Sequence, residues 1–364
     1  MTDGDNNRQI EDIGRLLADL FSVDAYYLQG KRVVFSLSYR FEPARSRQLL
    51  EDRLKLAGYE YEIAPSDQTL LLTITPERHL KIPALNIVLF VATVLSVYIV
   101  PVLFFNLNAP SWHETIRNTL ADLQNGAGIQ FTVALMSILL VHEMGHFIAS
   151  RRRGIITSWP YFIPAPNFIG TFGAVIKSKS PFWNRRDLIE VGAAGPVAGW
   201  IVALFWLIYG LTQSTITHGP LLTSGLPFSL HGESILVRAL APMLTGSLSP
   251  GQYYVLTEAA MAGWVGLLVT AINMLPIGQL DGGHVIYGLA PRRQAVLGWL
   301  GIGLLLILGF QAAMWWLFAA LGLFMGVGHP PTFDDHRPVS RSARILGWIA
   351  LAILLVSFTP VPFQ

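Results

Sequence analysis

The sequence predicts a polytopic α-helical membrane protein with about 6–7 transmembrane helices and a small N-terminal α+β soluble domain. Of its 364 residues, 52% are hydrophobic and 13% are charged, whereas a soluble domain has about 25% charged residues. Much of this surface must therefore face lipid. Beyond Pro83 the apolar runs also approach about 20 residues each, the length that a helix needs to cross the hydrocarbon core.

Composition also excludes several functional classes. The net charge is +2 and the chain has no dense tract of lysine and arginine, so nucleic acid is not an expected partner. The chain has no cysteine, which excludes disulfides, a thiolate metal site and a cysteine nucleophile.

Residues 1–80 are predicted to form a soluble α+β accessory domain, and residues 83–364 to form the membrane-embedded domain. Helical spacing and strand alternation of the apolar residues place the elements of the first domain at 9–21 (helix), 35–41 (strand), 45–56 (helix), 59–63 and 70–74 (hairpin). The hairpin turns at Pro65-Ser66-Asp67. The domain contains no cluster of metal ligands and no phosphate loop, so an accessory role is expected. A regulatory or substrate-contacting role stays open.

Seven membrane spans are placed on the apolar runs of the second domain. They cover residues 83–105, 128–149, 189–210, 257–277, 296–311, 312–327 and 344–359. The stretch 296–327 is too long for one upright helix and short for two, so a tight hairpin around Gln311 is predicted there.

The distribution of positive charge predicts the orientation. Basic residues follow the second and fourth spans and precede the last, whereas the loops 106–127 and 211–256 carry only Arg117 and Arg238. The basic set comprises Arg151, Arg152, Arg153, Lys177, Lys179, Arg185, Arg186, Arg292, Arg293, Arg337, Arg341 and Arg344. The N-terminal domain and the basic loops are therefore expected on the cytosolic side, with the active site toward the cytosol.

The second span ends in a His-Glu-x-x-His pattern. His142 and His146 are four residues apart, so they share one face of a helix and can bind one ion. Zn2+ suits them because it accepts neutral imidazole and needs no redox chemistry. Glu143, beside the first ligand, can take a proton from a water that the metal activates.

The competing interpretation is a chance occurrence of this pattern in an ordinary helix. Ionisable residues within a span cost about 2.5–3.5 kcal/mol each on insertion scales. Three such groups in an otherwise apolar helix therefore require a partner or an ion, which favours the metal site.

A catalytic zinc site usually has three protein ligands and a water, and Asp281 is the candidate for the third. It follows an apolar span, lies on the same predicted side of the membrane as His146, and precedes two glycines. The local sequence is equally consistent with Asp281 as a helix N-cap or a turn residue.

Together these motifs resemble the site-2 protease family of intramembrane metalloproteases. Both family motifs are complete: His142-Glu143-x-x-His146, and Asn273-x-x-Pro276-x-x-x-x-Asp281-Gly282. Residues 170–173 and 194–196 resemble further family segments, so the likeness covers about residues 83–345. The resemblance implies that Asp281 is the third ligand of one Zn2+ per chain.

The resemblance also implies single-span membrane proteins as substrates, cleaved within the lipid bilayer. The branch with an N-terminal soluble domain and no PDZ-like insertion is the most similar. This branch implies a multi-pass protein of the bacterial inner membrane, with a thylakoid or plastid membrane as the alternative. The oligomeric state is not indicated by the sequence.

Three further features carry weaker hypotheses. Asn273 is a candidate catalytic residue that donates a hydrogen bond to the oxyanion, or else a capping or helix-contact asparagine. His284 is a hydrogen-bond donor that supports the metal site, an alternate metal ligand or, as expected here, a solvated loop histidine. Segment 164–176 has the glycines and prolines of a tight hairpin. Beside the metal, this segment could hold an extended substrate by β-addition, or it is an ordinary interfacial loop.

Two other classes of function compete with the protease. In a metal-ion or proton-coupled transporter, the same His/Glu/Asp cluster would line an ion pathway; the sequence shows no internal repeat and no second acidic cluster along a span, which speaks against it. A catalytically silent scaffold would be expected to lack one of the motif residues, and both motifs are complete.

Overall fold

The computed structural model describes residues 10, 13–29, 32–65, 69–78, 82–178, 182–218, 233–332 and 334–362. Within them the protein is mostly helical, with one small sheet near the N-terminus and two short hairpins further on. The helical protein with a small N-terminal sheet is therefore confirmed.

The N-terminal sheet is antiparallel, with strand order β1-β2-β4-β3. Its strands are β1 (Phe21–Gln29), β2 (Arg32–Tyr39), β3 (Tyr59–Pro65) and β4 (Thr69–Arg78), and helix α1 (Pro43–Ala57) lies between β2 and β3. One face of the sheet packs on α1 through a core that includes Phe35, Leu37 and Leu54. The predicted strand, helix and hairpin from residue 35 onward are thus present; most of the predicted turn, residues 66–68, lies outside the described residues.

The predicted first helix is wrong at its C-terminal end. The helical residues end at 17, and Phe21 begins β1. This edge strand has seven consecutive exposed residues after Ser22, so it has no buried face to produce an alternating pattern in the sequence. Its existence could not be inferred from the apolar spacing.

The rest of the chain is built from helices with short hairpins between them. The helices are α2 (Ala84–Phe105), α3 (Trp112–Gln124), α4 (Ile129–Arg152), α5 (Arg185–Leu211), α6 (Ile235–Leu244), α7 (Glu258–Asn273), α8 (Asp281–Leu289), α9 (Pro291–Leu308), α10 (Met314–Met325) and α11 (Arg341–Ser357). The hairpins are β5 (Tyr161–Pro164) with β6 (Thr171–Val175), and β7 (Thr215–His218) with β8 (Gln252–Val255).

Among the described residues, four helices are long and apolar enough to cross a membrane: α2, α4, α5 and α9. Helices α6, α7 and α10 are apolar but shorter. The predicted number of seven spans is therefore not confirmed. The helical segments nevertheless follow the seven predicted apolar runs, and the chain leaves its helix between residues 308 and 314, where a hairpin around Gln311 was predicted.

Helices α4, α5 and α7 form the centre of the molecule, with α5 packed on both others. Their contact buries Leu135, Ala203, Leu207 and Leu267, each at most 1% exposed. Helix α8 packs on the first half of α5. This packing brings residues from distant parts of the sequence to one place.

Candidate metal centre

The candidate metal centre is a triangle of three side-chain atoms from two helices. The Nε2 atoms of His142 and His146 lie 3.2 Å apart, and Asp281 Oδ2 lies 3.4 Å from the first and 3.2 Å from the second. His142 and His146 lie on α4, and Asp281 is the first residue of α8. The structure thus brings together the three residues that the sequence predicted as ligands.

The triangle fits a tetrahedral zinc ion. Zn–N and Zn–O bonds of about 2.0–2.1 Å at tetrahedral angles separate neighbouring ligand atoms by about 3.3 Å, and the three observed separations are 3.2, 3.2 and 3.4 Å. Two imidazoles and one carboxylate are also a ligand set that zinc accepts in catalytic sites. All three side chains are largely shielded from solvent.

A backbone carbonyl orients the second histidine. His146 Nδ1 lies 2.8 Å from Val191 O on α5. Because a carbonyl oxygen only accepts hydrogen bonds, Nδ1 carries the proton and donates it. The lone pair of His146 is therefore on Nε2, the atom in the triangle, as a metal ligand requires.

Two glycines on α5 make room for the histidines. A Cβ atom at Gly195 would lie 2.1 Å from His146 Nε2, and one at Gly199 would lie 2.9 Å from His142 Cβ. A side chain at either position would therefore displace a ligand. Residues 194–196 resemble a family segment, and the spacing of Gly195 and Gly199 is typical of close helix packing; their contact with the two histidines was not predicted.

Glu143 lies beside the first ligand on α4 and is 6% exposed. Within the described part of the chain it forms no hydrogen bond, so its carboxylate is available for a proton. A buried carboxylate without hydrogen-bond donors is unfavourable in a folded protein, which is typical of a functional group.

Asp281, the candidate third ligand, is not a helix cap. Leu280 occupies the N-cap position of α8 and makes no side-chain cap, whereas Asp281 is already in the helix and points to the histidines. The structure therefore excludes the N-cap alternative for Asp281. The loop before α8 is compact, because Gly282 packs against the backbone of Met274.

Asn273 is the last residue of α7, and its Nδ2 lies 3.5 Å from His142 Nε2. The structure therefore places this amide at the edge of the triangle. It can reach a group bound there, in agreement with the geometry that an oxyanion-stabilising role requires.

The loop between α7 and α8 is held by a buried glutamine that was not among the residues predicted from the sequence. Gln294 on α9 is 1% exposed. Its Nε2 donates to Pro276 O (3.2 Å) and Val327 O (3.0 Å), and its Oε1 accepts from His329 N (2.9 Å). One side chain thus ties the Asp281-bearing loop to segment 326–329. No local pattern in the sequence indicates this contact.

A pair of histidines supports α8 from its other side. His329 Nδ1 donates to Pro330 O, so its Nε2 accepts from His284 Nδ1 at 2.7 Å. Burial, together with the neighbouring imidazole of His329, lowers the pKa of His284 to about 3. The expectation of a solvated loop histidine is therefore wrong, because His284 lies on a helix and is hydrogen-bonded.

The N-terminus of the metal helix is capped by a distant residue. Glu258 on α7 accepts from Gly128 N (2.7 Å) and Phe131 N (3.2 Å). Gly128 itself has no side chain to cap α4, so the carboxylate satisfies two free backbone donors and complements the helix dipole. This contact fixes α4 against α7.

The predicted hairpin is present as β5 and β6, next to α2 and α4. Its turn is stabilised by Asn167 Oδ1, which accepts from Ile169 N and Gly170 N. The hairpin exposes apolar side chains, with Phe172 71% and Val175 47% exposed. A two-stranded sheet leaves the outer edge of each strand without a partner strand.

The comparisons with known proteins agree with this site. The sequence profile of peptidase family M50 matches residues 130–309. The chain is 29% identical over 361 residues to "Probable zinc metalloprotease EGY2, chloroplastic" of Oryza sativa subsp. indica, covering 94% of this chain and 65% of the relative. The corresponding EGY2 protein of Arabidopsis thaliana is 27% identical over 97% of this chain and 65% of its own length.

A second named relative is "Probable zinc metalloprotease EGY1, chloroplastic" of Arabidopsis thaliana. It is 30% identical over 65% of this chain and 43% of its own length. The chain therefore spans about two thirds, at 65%, of the EGY2 relatives it matches. No solved structure matches the chain. The matched region, residues 130–309, contains both motifs and the triangle and has the sequence profile of peptidase family M50, the family of the site-2 proteases.

Proposed function

We propose that this chain is a zinc-dependent intramembrane protease that hydrolyses peptide bonds in or near the transmembrane segments of membrane proteins. The observation that carries the proposal is the triangle of His142, His146 and Asp281, with Glu143 buried beside it. Its dimensions match one Zn2+ per chain, and α4 is long and apolar enough to lie in a bilayer. The names of the EGY relatives support the same chemistry.

Each residue of the site has a role in peptide hydrolysis. Zinc, when bound, supplies Lewis-acid activation of the carbonyl group and of water at neutral pH. Glu143 accepts the proton of the attacking water and returns it to the nitrogen of the leaving amine, as a general base and then a general acid. Asn273 donates a hydrogen bond to the oxyanion that forms on the carbonyl.

We propose single-span membrane proteins as substrates, bound at the β5–β6 hairpin. A helical substrate must be unwound before its peptide bonds are accessible, since the carbonyls of a helix are already hydrogen-bonded. The free edge of a two-stranded hairpin can pair with an extended segment, and Phe172 and Val175 offer apolar contacts for its side chains.

We also propose the domain division and the orientation expected from the sequence. Residues 1–80 would form an accessory domain and residues 83–364 the membrane domain. Ile156, which follows the metal helix, packs into the core of the N-terminal sheet, so the accessory domain is held near the basic end of α4. Positive charge favours the cytosolic side for this end, in a bacterial inner membrane or, as the chloroplast relatives suggest, on the stromal side of a plastid membrane.

The transporter alternative is not favoured by any specific observation. Within the described residues, only one group of three or more histidine, aspartate and glutamate side chains could hold a metal ion. A transport pathway would need further ion positions along a span.

The direct test compares the wild type with Glu143→Gln, both purified in detergent. Bound zinc is measured by mass spectrometry, and each protein is incubated with tagged single-span substrates. We expect about one zinc per chain in both proteins, and a loss of cleavage by a factor of about 10²–10⁴ in Glu143→Gln, the usual contribution of a general acid–base group. Chelation should abolish cleavage by the wild type.

Glu60→Gln is the matched control, because Glu60 is an exposed carboxylate on β3. It should retain both zinc and activity. If Glu143→Gln kept its zinc and cleaved at the rate of this control, the role assigned to Glu143 would be wrong.

A further inference from the structure

A second cavity lies apart from the metal triangle, where α5 and α9 begin. Its volume is about 580 Å³, within the range of about 300–1,000 Å³ that is usual for small-molecule sites and more than a bare ion needs. The polar and charged residues of its lining are Arg185, Tyr287, Arg292, Arg293, Asp335 and His336. None of these residues has a role in the proposed hydrolysis.

The cavity carries an excess of positive charge. Three guanidinium groups face one carboxylate, Asp335, which is already engaged: it accepts from Tyr287 Oη (2.6 Å) and from Thr332 Oγ1 (2.6 Å). Across the part of the chain that the structure describes, Arg292 and Arg293 form no ion pair. Positive charge focused in a concave site attracts anions.

Arg185 adds an unsatisfied donor to this excess. Its Nε is shielded from solvent and has no hydrogen-bond partner among the described residues, and its Nη2 reaches only Arg337 O, at 3.4 Å. Buried donors are almost always paired in folded proteins. An anionic ligand in the cavity would supply the missing acceptor.

The position of the cavity indicates which anions can reach it. Arg185 is the first residue of α5, and Pro291 is the first residue of α9. Both helices are candidate spans, so the cavity lies at the end of two membrane helices, at the depth of lipid headgroups. Basic pockets between transmembrane helices at this depth are suited to anionic headgroups.

We propose that this cavity binds the phosphate group of an anionic ligand, namely the headgroup of an anionic phospholipid or a free phosphate. The guanidinium groups of Arg292 and Arg293 bind the phosphate oxygens, and Arg185 donates from its buried Nε. Guanidinium is well suited to phosphate because it offers several N–H donors in one plane.

An occupant of this cavity would contact the helix that carries the third metal ligand. Tyr287 lines the cavity and lies on α8, six residues after Asp281. Its ring packs on His329, which is hydrogen-bonded to His284 on the same helix. A bound phosphate would therefore stabilise α8. An effect on cleavage rests on the proposed protease function, whereas binding itself does not.

Binding is tested with the full chain purified in detergent and depleted of lipid. The melting temperature is recorded during titration with short-chain phosphatidylglycerol, with phosphatidylcholine of the same chain length, and with inorganic phosphate. A ligand that binds the folded state raises the melting temperature with its concentration. We expect a saturable increase with phosphatidylglycerol and none with phosphatidylcholine.

The variant Arg292→Gln/Arg293→Gln should weaken the apparent affinity by about thirtyfold, because each arginine near an anionic headgroup contributes about fivefold. The matched control is Arg341→Gln/Arg344→Gln, which removes two exposed arginines from the start of α11 and leaves the cavity intact. It should bind as the wild type does. Arg292→Lys/Arg293→Lys keeps the charge and shows whether a loss comes from charge or from misfolding.

Equal affinity of Arg292→Gln/Arg293→Gln and the wild type would overturn the proposal, and so would equal binding of the two lipids. Saturable binding of inorganic phosphate that the same variant loses would support the site and assign it to free phosphate. Cleavage is then compared in bilayers with and without phosphatidylglycerol. Failure of the protease proposal would remove this last readout and leave the binding measurement unchanged.

Discussion

His146 joins two helices and the third ligand through a single imidazole ring. Its Nδ1 donates to Val191 O on α5, and its Nε2 lies 3.2 Å from Asp281 Oδ2 at the start of α8. Any movement of α5 along α4 would therefore rotate the ring and change the ligand triangle. The geometry of the centre depends on backbone positions in α5 as much as on the ligands themselves.

The buried carboxylate of Glu233, which lies outside the metal centre, makes the stability of the fold depend on pH. Glu233 is 6% exposed, and its Oε2 accepts from Trp264 Nε1 at 2.8 Å. Burial raises the pKa of Glu233 from 4.5 to about 7, although hydrogen bonds from Trp264 and Ser234 oppose the shift. Because the folded state holds this proton more tightly than the unfolded state, the stabilisation is complete below about pH 4.5 and is lost as pH rises to about 7.

We therefore predict that the melting temperature of the wild type decreases between pH 5 and pH 8. Glu233→Gln keeps an acceptor for Trp264 and cannot ionise. Its free energy of unfolding at pH 8 should therefore exceed that of the wild type by about 3 kcal/mol. The two proteins should have similar stability at pH 5. Glu60→Gln, at an exposed position, should follow the wild type, and a Glu233→Gln profile as steep as the wild type would contradict the assignment.

At the scale of residues, local motifs were predictable and long-range contacts were not. The four-residue spacing of His142 and His146 requires only that the segment is helical, and Asp281 was added by resemblance to a known pair of motifs. The residues that hold these side chains in place could not be predicted in the same way. Gln294 acts through three backbone groups, two of them more than thirty residues away, and no pattern within the sequence expresses such a contact.

Close packing of α5 on α4 positions the two histidines proposed as metal ligands. We predict that Gly195→Ala lowers zinc affinity sharply, because its Cβ would lie 2.1 Å from His146 Nε2 and the imidazole would have to move. Bound zinc is measured by titration with a competing chelator. The control is Gly303→Ala on α9, where an added Cβ meets nothing within 4 Å.

Alanine is also favoured over glycine in a helix by about 1 kcal/mol, so the control should keep its zinc and have a melting temperature at or above that of the wild type. If Gly195→Ala bound zinc as tightly as Gly303→Ala does, the prediction would be wrong, and α5 would be able to move away from the histidines.

The loop between α7 and α8 is positioned by Gln294. We predict that Gln294→Leu, which has a similar size, leaves Pro276 O, Val327 O and His329 N without this partner. An unpaired buried polar group costs about 1–3 kcal/mol, so the melting temperature should fall. Asp281 should also be placed less accurately, and zinc affinity should decrease.

Gln311→Leu is the matched control, since Gln311 is exposed in the turn before α10. It should change neither quantity. Loss of stability in Gln294→Leu with unchanged zinc affinity would mean that the glutamine supports the fold without positioning the third ligand.

At the scale of elements, a helix or strand was easier to predict from the sequence when it has more buried or lipid-facing apolar surface. The runs that became α2, α4 and α5 were located to within a few residues. Helix α3 was not predicted, because Trp112–Gln124 carries polar residues on one side and is too short to span a bilayer. Strand β1 was missed since its residues are mostly exposed.

The whole molecule combines a metal centre, a basic cavity and the N-terminal sheet at one end of the central helices. Arg153, just beyond α4, pairs with Asp187 and Glu190 on α5, which joins these helices at that end. The opposite end carries the β7–β8 hairpin and the Glu258 cap of α4. Positive charge is concentrated at the first end, so the two ends should lie on opposite sides of a membrane.

The chain has no cysteine, so this orientation can be tested with single introduced cysteines, because no native residue competes for the thiol reagent. We predict that Ser342→Cys, at the start of α11, reacts with a membrane-impermeant maleimide only from the cytosolic side. Ser249→Cys, in the loop before β8, should react only from the other side. Both serines are exposed, so each position is accessible to the reagent.

Labelling is measured in right-side-out and inverted vesicles from the same cells, and detergent-solubilised protein serves as the control for reactivity. The reverse pattern would invert the orientation and place the basic cavity outside the cytosol. Labelling of both positions from one side would mean that an even number of spans separates the two ends. In that case at least one of α7, α9 and α10, which lie between the two serines and follow predicted spans, would not cross the membrane. The short helix α10, with 12 residues, would be the first to re-examine.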